Sequence, residues 1–152
     1  MAGVTLSINV SDVEAIRSRI NEFAERGQNM SPALRDIGEH LLLSHHERWQ
    51  QQQSPDGTPW APLSPKYQKR KKKHADLILV LNQHLSSSSL NYDVDPLGLS
   101  FGTSSEYGAI HHFGGSPEMR PSNAAIPARP WLGLSESDFD EIAQILAIHL
   151  TS

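Results

Sequence analysis

Eight histidines are the first residues of this sequence that could do chemistry, because imidazole is both a metal ligand and a general base near neutral pH. Their spacing argues against a shared ion. His45-His46 and His111-His112 are sequence neighbours, and neighbours on a helix point about 100° apart. His40 and His45 are five residues apart, not the three or four that stack side chains on one helix face, and there is no HExxH. Nucleophilic catalysis has no better support. Cysteine is absent, the serine-rich stretches lack the strand-turn-helix GxSxG elbow that would expose an activated hydroxyl, and neither GxGxxG nor GxxxxGK[ST] is present to cradle a phosphate. The reading that follows is of a protein that is not an enzyme and carries no cofactor or metal.

Two other constellations remain. Lys66, Lys69, Arg70, Lys71, Lys72 and Lys73 supply six of the thirteen positive charges, so a chain of net charge −4 is an acidic body with one basic spot. Such a run suits nucleic-acid phosphates, an acidic protein neighbour, or plain solvation. The second constellation is apolar and stiff. In Ile126-Pro127-Ala128-Arg129-Pro130-Trp131-Leu132 the prolines fix their own φ and push the preceding residues toward extended backbone. The segment therefore reads as a strut with large apolar anchors and an arginine able to meet a carboxylate. Trp60-Ala61-Pro62-Leu63 is a second such cassette. The strut can lid its own core, dock on another subunit, or do both.

These residues need elements to position them. At 152 residues the chain is the size of one domain, and 38% apolar content with 10 prolines and 10 glycines makes a thin core with much irregular backbone. Val4, Leu6, Ile8 and Val10 alternate as in a half-buried strand. Ser11 to Glu14 reads as a capping box, followed by a helical stripe of Val13, Ile16, Ile20 and Phe23 that stops near Gly27. Ser31-Pro32 restarts a long helix, with serine as N-cap and Leu34, Ile37, Leu41, Leu42, His45 and Trp49 on one face to about Gln52.

Prolines then break the chain, and Ser64-Pro65 caps a short basic helix through His74. Leu77 to Leu81 is apolar but too short to classify. Leu90, Tyr92, Val94, then Leu97, Leu99 and Phe101, alternate around Asp95-Pro96 and Gly98 as a hairpin. Ser135 or Ser137 caps a last helix with Phe139, Ile142, Ala143, Leu146 and Leu150 on one face, and Glu136, Asp138, Asp140 and Glu141 at its positive end. The expected architecture is α+β: helices on one small antiparallel sheet, a single domain over 1–152 with 54–65 and 114–134 as extended arms. No signal peptide or ~20-residue apolar span is legible, so a soluble protein made in the cytoplasm, with no membrane contact, is expected.

Three blocks, PDGTPWAPLSPKY at Pro55 to Tyr67, YGAIHHFGG at Tyr107 to Gly115 and IPARPWLGLS at Ile126 to Ser135, occur in that order after a long helix. Together they resemble the phage virion morphogenesis family. The chain departs from the family pattern at Asn82 to Leu85, where a Thr-Gly turn is usual. The resemblance implies a structural protein of the head–tail junction, in neck or tail completion or as a tail terminator. It further implies a homo-oligomeric ring, of six copies by wider similarity to neck proteins, that meets connector and tail proteins in the virion. On that reading Trp60, Pro62, Leu63, Tyr107, Phe113, Ile126, Pro127, Arg129, Pro130, Trp131 and Leu132 belong to the subunit interface. The basic run meets genome DNA or an acidic partner.

Overall fold

A computed structural model describes residues 10–73, 75–79, 89–96, 98–118 and 126–152, with the side chains of residues 10–12 left aside. Helix α1 spans Val10–Gln28 and α2 Ser31–Gln51; α3 is Pro65–Arg70, α4 Gly108–Phe113 and α5 Glu136–Thr151. The strands β1, Leu90–Asp95, and β2, Gly98–Thr103, form one antiparallel hairpin, so the α+β expectation holds. The strand expected from the alternation of Val4 to Val10 lies outside the described residues except for Val10, which is helical; His74, the end of the apolar run at Leu77 to Leu81, the turn at Asn82 to Leu85 and Leu97 also lie outside them.

The long helix is the spine. Ala33, Ile37, Leu41 and Trp49 are buried along it, and His45 and Arg48 lie buried on the same side. Pro32 sits in its first turn as expected, but Met30 is the N-cap and Ser31 is already helical, so the expected Ser31 cap is not made. The helix ends where Gln52 turns to φ 57°, sending its N–H back to the carbonyls of Arg48 and Trp49. The Gln52 side chain then clamps the next segment, donating to Ile78 O at 3.2 Å and accepting from the Ile78 N–H. That clamp brings Leu77, Ile78 and Leu79 against the tryptophan core.

The hairpin lies across this spine. Tyr92 pairs with Phe101 and Val94 with Leu99, as the alternation predicts, while Asn91, Asp93 and Asp95 stay exposed. Asp95 closes the turn by accepting from the Gly98 N–H at 2.9 Å. Gly38 lets the strand approach: a Cβ there would lie 2.5 Å from the Tyr92 ring. The Tyr92 hydroxyl then donates to Glu39 on the same helix at 2.7 Å.

Three sequence expectations need correction. Helix α1 begins at Val10, ahead of the expected Ser11 cap. Its apolar stripe does not reach the core: Val13, Ile16, Ile20 and Phe23 are 51%, 52%, 59% and 42% exposed. Among the described residues its hydrogen bonds to α5 lie at its C-terminal end, where Arg26 donates to Leu150 O at 3.0 Å and His149 meets Asn29 O, just past the helix, at 2.9 Å. The stripe of α5 is likewise only partly covered, with Phe139 60% exposed, because its first turn is committed to a buried polar cluster instead.

Candidate functional site: the arm junction

The two proline cassettes meet each other. Ser54 to Leu63 folds back on the end of α2 through a bridge between Gln53 and Pro59. The strut enters through a second bridge between Gly115 and Ile126 and is then tied to α4 by Arg129 N–H donating to His111 O at 2.8 Å. Gly114 makes that approach possible: at φ +78°, a Cβ there would lie 2.8 Å from both Ile126 O and Ala128 N.

Trp131, Trp60 and Trp49 close the junction as one buried cluster. Trp49 meets Trp60 edge-on at 5.5 Å and Trp131 at 5.4 Å between ring centroids, within the range of favourable aromatic pairs. Two of the three indoles also find acceptors, Trp60 Nε1 on Pro130 O at 2.8 Å and Trp131 Nε1 on Gly108 O at 2.9 Å. Trp49 Nε1 has none among the described residues, and its ring packs against the other two.

Arg129 was expected to meet a carboxylate. It instead donates Nε to Ala61 O at 2.7 Å and a terminal nitrogen to Pro62 O at 3.0 Å, stapling strut to loop through backbone carbonyls. A Pro-rich segment leaves carbonyls without backbone donors, and a buried guanidinium supplies them. Trp60, Arg129 and Trp131 are thus 5%, 5% and 2% exposed within one copy of the chain, so the strut does lid its own core. Of the other strut and cassette residues, Pro62, Tyr107, Phe113, Pro127, Pro130 and Leu132 are exposed, and Leu63 and Ile126 are half-buried. Phe113, 78% exposed at the end of α4, and Tyr107, 57% exposed at its start, stand out among them.

Beneath the strut lies a polar hub that sequence reasoning missed. Asp138, 1% exposed, accepts from Arg48 at 2.8 Å and Ser44 at 2.5 Å, pairs with His40 at 2.8 Å, and accepts the Ser135 N–H at 2.8 Å. Burial alone would raise this carboxyl, but hydrogen bonds from Ser44, Ser135 and His40 hold it down at about 2. Arg48 carries the hub to the strut, donating to Trp131 O at 3.3 Å and Gly133 O at 3.0 Å. His45 does the same from one turn away. Its Nδ1 meets Leu41 O at 2.8 Å and its Nε2 accepts the Gly133 N–H at 3.3 Å, which fixes a neutral tautomer. Burial first, and the Arg48 charge second, push its pKa down to about 4.

Two signals pointed to this hub. Arg48 falls on the stripe of Leu41, His45 and Trp49, where a charged residue faces the core only if it is paired. Asp138 stands three residues after Ser135, the spacing of the capping box the structure contains. Reading Asp138 as one more acid at a helix start hid its partners.

His40, His45 and His112 have packing and positioning roles here. His112 Nδ1 lies 3.3 Å from the Trp131 N–H, and among the described residues no group of histidines and acids could hold a metal ion. Lys66, Lys69, Arg70, Lys72 and Lys73 are exposed on and after α3, whose Ser64 cap forms as expected although the helix stops at Arg70. Lys71 is half-buried and donates to Leu77 O. Among the described residues no helix is long and apolar enough to cross a membrane.

The described residues thus form an α+β body against which a proline-rich segment is held by tryptophan packing and guanidinium–carbonyl bonds. The chain belongs to the phage virion morphogenesis family, whose model matches residues 11–151. It is 30% identical over 144 residues to protein G of Escherichia phage Mu, whose name refers to capsid assembly, covering 91% of each chain. It is 31% identical over 136 residues to tail completion protein S of Escherichia phage P2, covering 81% of this chain and 89% of that one. No solved structure matches it.

Proposed function

We propose that the chain is a structural, non-enzymatic subunit of the head–tail junction, acting in neck or tail completion as a ring of six copies assembled in the host cytoplasm. The observation that carries this reading is the pre-set arm. Because Trp60, Trp131, Arg48 and Arg129 fix the strut inside each copy, its exposed residues Pro127, Pro130 and Leu132, and the exposed Tyr107 and Phe113 at the ends of the α4 helix it is bonded to, are held in a set geometry. Docking such a surface orders few side chains, so more of the contact energy appears as affinity. A ring contact is head-to-tail, and a rigid face keeps the angle that lets the ring close. The face then meets a neighbouring copy, or the connector or tail protein beyond it.

The test is complementation of a phage lacking this gene with Phe113→Asp and Leu132→Asp. Both side chains are exposed, so the variants fold as the parent does by circular dichroism, yet infectious yield falls at least tenfold and native mass spectrometry loses the ring. Normal yield with an intact ring would end this reading, including its tail-terminator variant.

A second reading is favoured by the five exposed cations on and after α3: contact with genome DNA passing the junction, or with an acidic neighbour. Retention on DNA should then weaken steeply with salt and drop in Lys69→Glu/Arg70→Glu. Absence of retention at low ionic strength removes the DNA contact without touching the ring.

A further inference from the structure

Two exposed helix faces serve neither the arm nor the hub, and they differ in shape and in charge. On α1, Val13, Ile16, Ile20 and Phe23 are spaced three, four and three residues apart and all are exposed, so one side of the helix presents four large apolar groups. The charges bordering that row are basic. Arg17 stands four residues after Val13 and three before Ile20, and Arg19 three after Ile16 and four before Phe23, one on each side. Arg19 pairs with Glu22 at 3.2 Å, whereas Arg17 is exposed and has no ion pair among the described residues.

The open face of α5 has small side chains and an acidic border. Phe139, Ala143 and Ala147 follow one another at four-residue spacing and are all exposed, so two alanines leave a shallow trough beyond the phenylalanine ring. Glu136 and Asp140, three residues before Phe139 and Ala143, run along its edge, exposed and without an ion pair among the described residues. Asp138 points the other way, into the hub.

We propose that the apolar face of α1 in one copy docks in the acidic trough of α5 in the next. Charge selects this pairing over the two like-with-like ones. Two α1 faces would set arginine against arginine and two α5 faces acid against acid, whereas α1 on α5 brings Arg17 to Glu136 and Asp140. Shape selects it too, because the separation of packed helices is set by the side chains at the contact, and the isoleucines of α1 find alanines opposite them. Two different surfaces of one chain then meet, as a head-to-tail contact requires. The seam rests on the head-to-tail assembly proposed above and adds a second contact to it. One helix pair buries less than the ~800 Å² per partner of a standard interface, so the seam is weak alone and strengthens where the arm holds copies together.

The absence of cysteine gives a clean test on the full chain. Under mild oxidation, co-expressed chains carrying Ile20→Cys and Ala143→Cys link to each other, while neither links to itself and Ser18→Cys, on the outer side of α1, does not link to Ala143→Cys. Adding Arg17→Glu to the first chain or Asp140→Arg to the second lowers the mixed linking by about threefold, as loss of an exposed ion pair allows. The two reversals together restore it. All these positions are exposed, so circular dichroism is unchanged. Self-linking of Ile20→Cys at the mixed rate, equal linking from Ser18→Cys, mixed linking that ignores both reversals, or none at millimolar concentration would overturn the proposal. Native mass spectrometry separates it from the reading it rests on. A ring of six copies whose chains do not link sinks the seam alone, whereas linked chains that never close into a ring sink the six-copy reading alone.

Discussion

Replacing Asp138 by alanine isolates the buried hub beneath the strut. The carboxylate is 1% exposed and Arg48 is 5% exposed, so removing it leaves a guanidinium in the interior without its counter-charge. Breaking a buried pair in this way costs about 3–5 kcal/mol. Arg48 keeps three other acceptors, at 3.3 Å to Trp131 O, 3.0 Å to Gly133 O and 3.2 Å to Ser44 Oγ, which places the loss near the lower end. The Ser135 N–H also loses its acceptor at the start of α5, and a lost cap adds about 1 kcal/mol. We therefore expect a destabilisation of about 4 kcal/mol, or roughly 10 °C in Tm for a domain of this size, read by urea and thermal unfolding.

Arg48→Met combined with Asp138→Leu distinguishes charge from cavity. Replacing both ions with apolar side chains is often neutral or better, so the double variant should be more stable than Asp138→Ala alone. A loss under about 1 kcal/mol in the single variant, or simple additivity in the pair, would refute the buried-charge account.

Gly38→Ala should destabilise by about 2 kcal/mol, since overpacking at the upper end of its range costs about 3 kcal/mol against a helix-propensity gain of about 1; the added Cβ would lie 2.5 Å from the Tyr92 ring. In a Tyr92→Ala background the same change should turn neutral or stabilising, and urea midpoints decide. His45, neutral in the fold with its pKa lowered from 6.5 to about 4, makes the unfolded chain the better proton binder between those values. Its contribution is complete above pH 6.5 and is lost as pH falls toward 4, by up to about 3 kcal/mol. Asp138 adds a further loss only between 3.8 and about 2. Unfolding curves at pH 7.5, 5.5 and 4.5 should show that slope and His45→Gln should flatten it; an unchanged slope removes His45 as its source.

Much of the frame was legible because local rules and tertiary packing agree there. The hairpin from Leu90 to Phe101, the spine of Ile37, Leu41 and Trp49, and the Ser64 and Ser135 caps all follow from period and turn chemistry. What was not legible depends on which surfaces meet. Amphipathic spacing says that Val13, Ile16, Ile20 and Phe23 share a face but not that the face stays open. Arg129 could be seen as a group needing acceptors; that these are Ala61 O and Pro62 O, far off in sequence, required the fold. Asp138 and Arg48, ninety residues apart, became a pair only when α5 crossed α2.

The thin apolar composition has a physical reading once the hub is seen. A body that buries few large side chains beyond three tryptophans must fix its arm some other way, and it uses directional bonds: guanidinium to carbonyl, indole to carbonyl, carboxylate to helix cap. Apolar burial is non-directional and tolerates sliding, whereas a buried polar group that loses its partner costs about 1–3 kcal/mol at once. The strut is therefore held in one position rather than merely covered. The apolar groups the body leaves uncovered, Phe113, Leu132, Phe139 and the α1 stripe among them, are therefore not what fixes the strut.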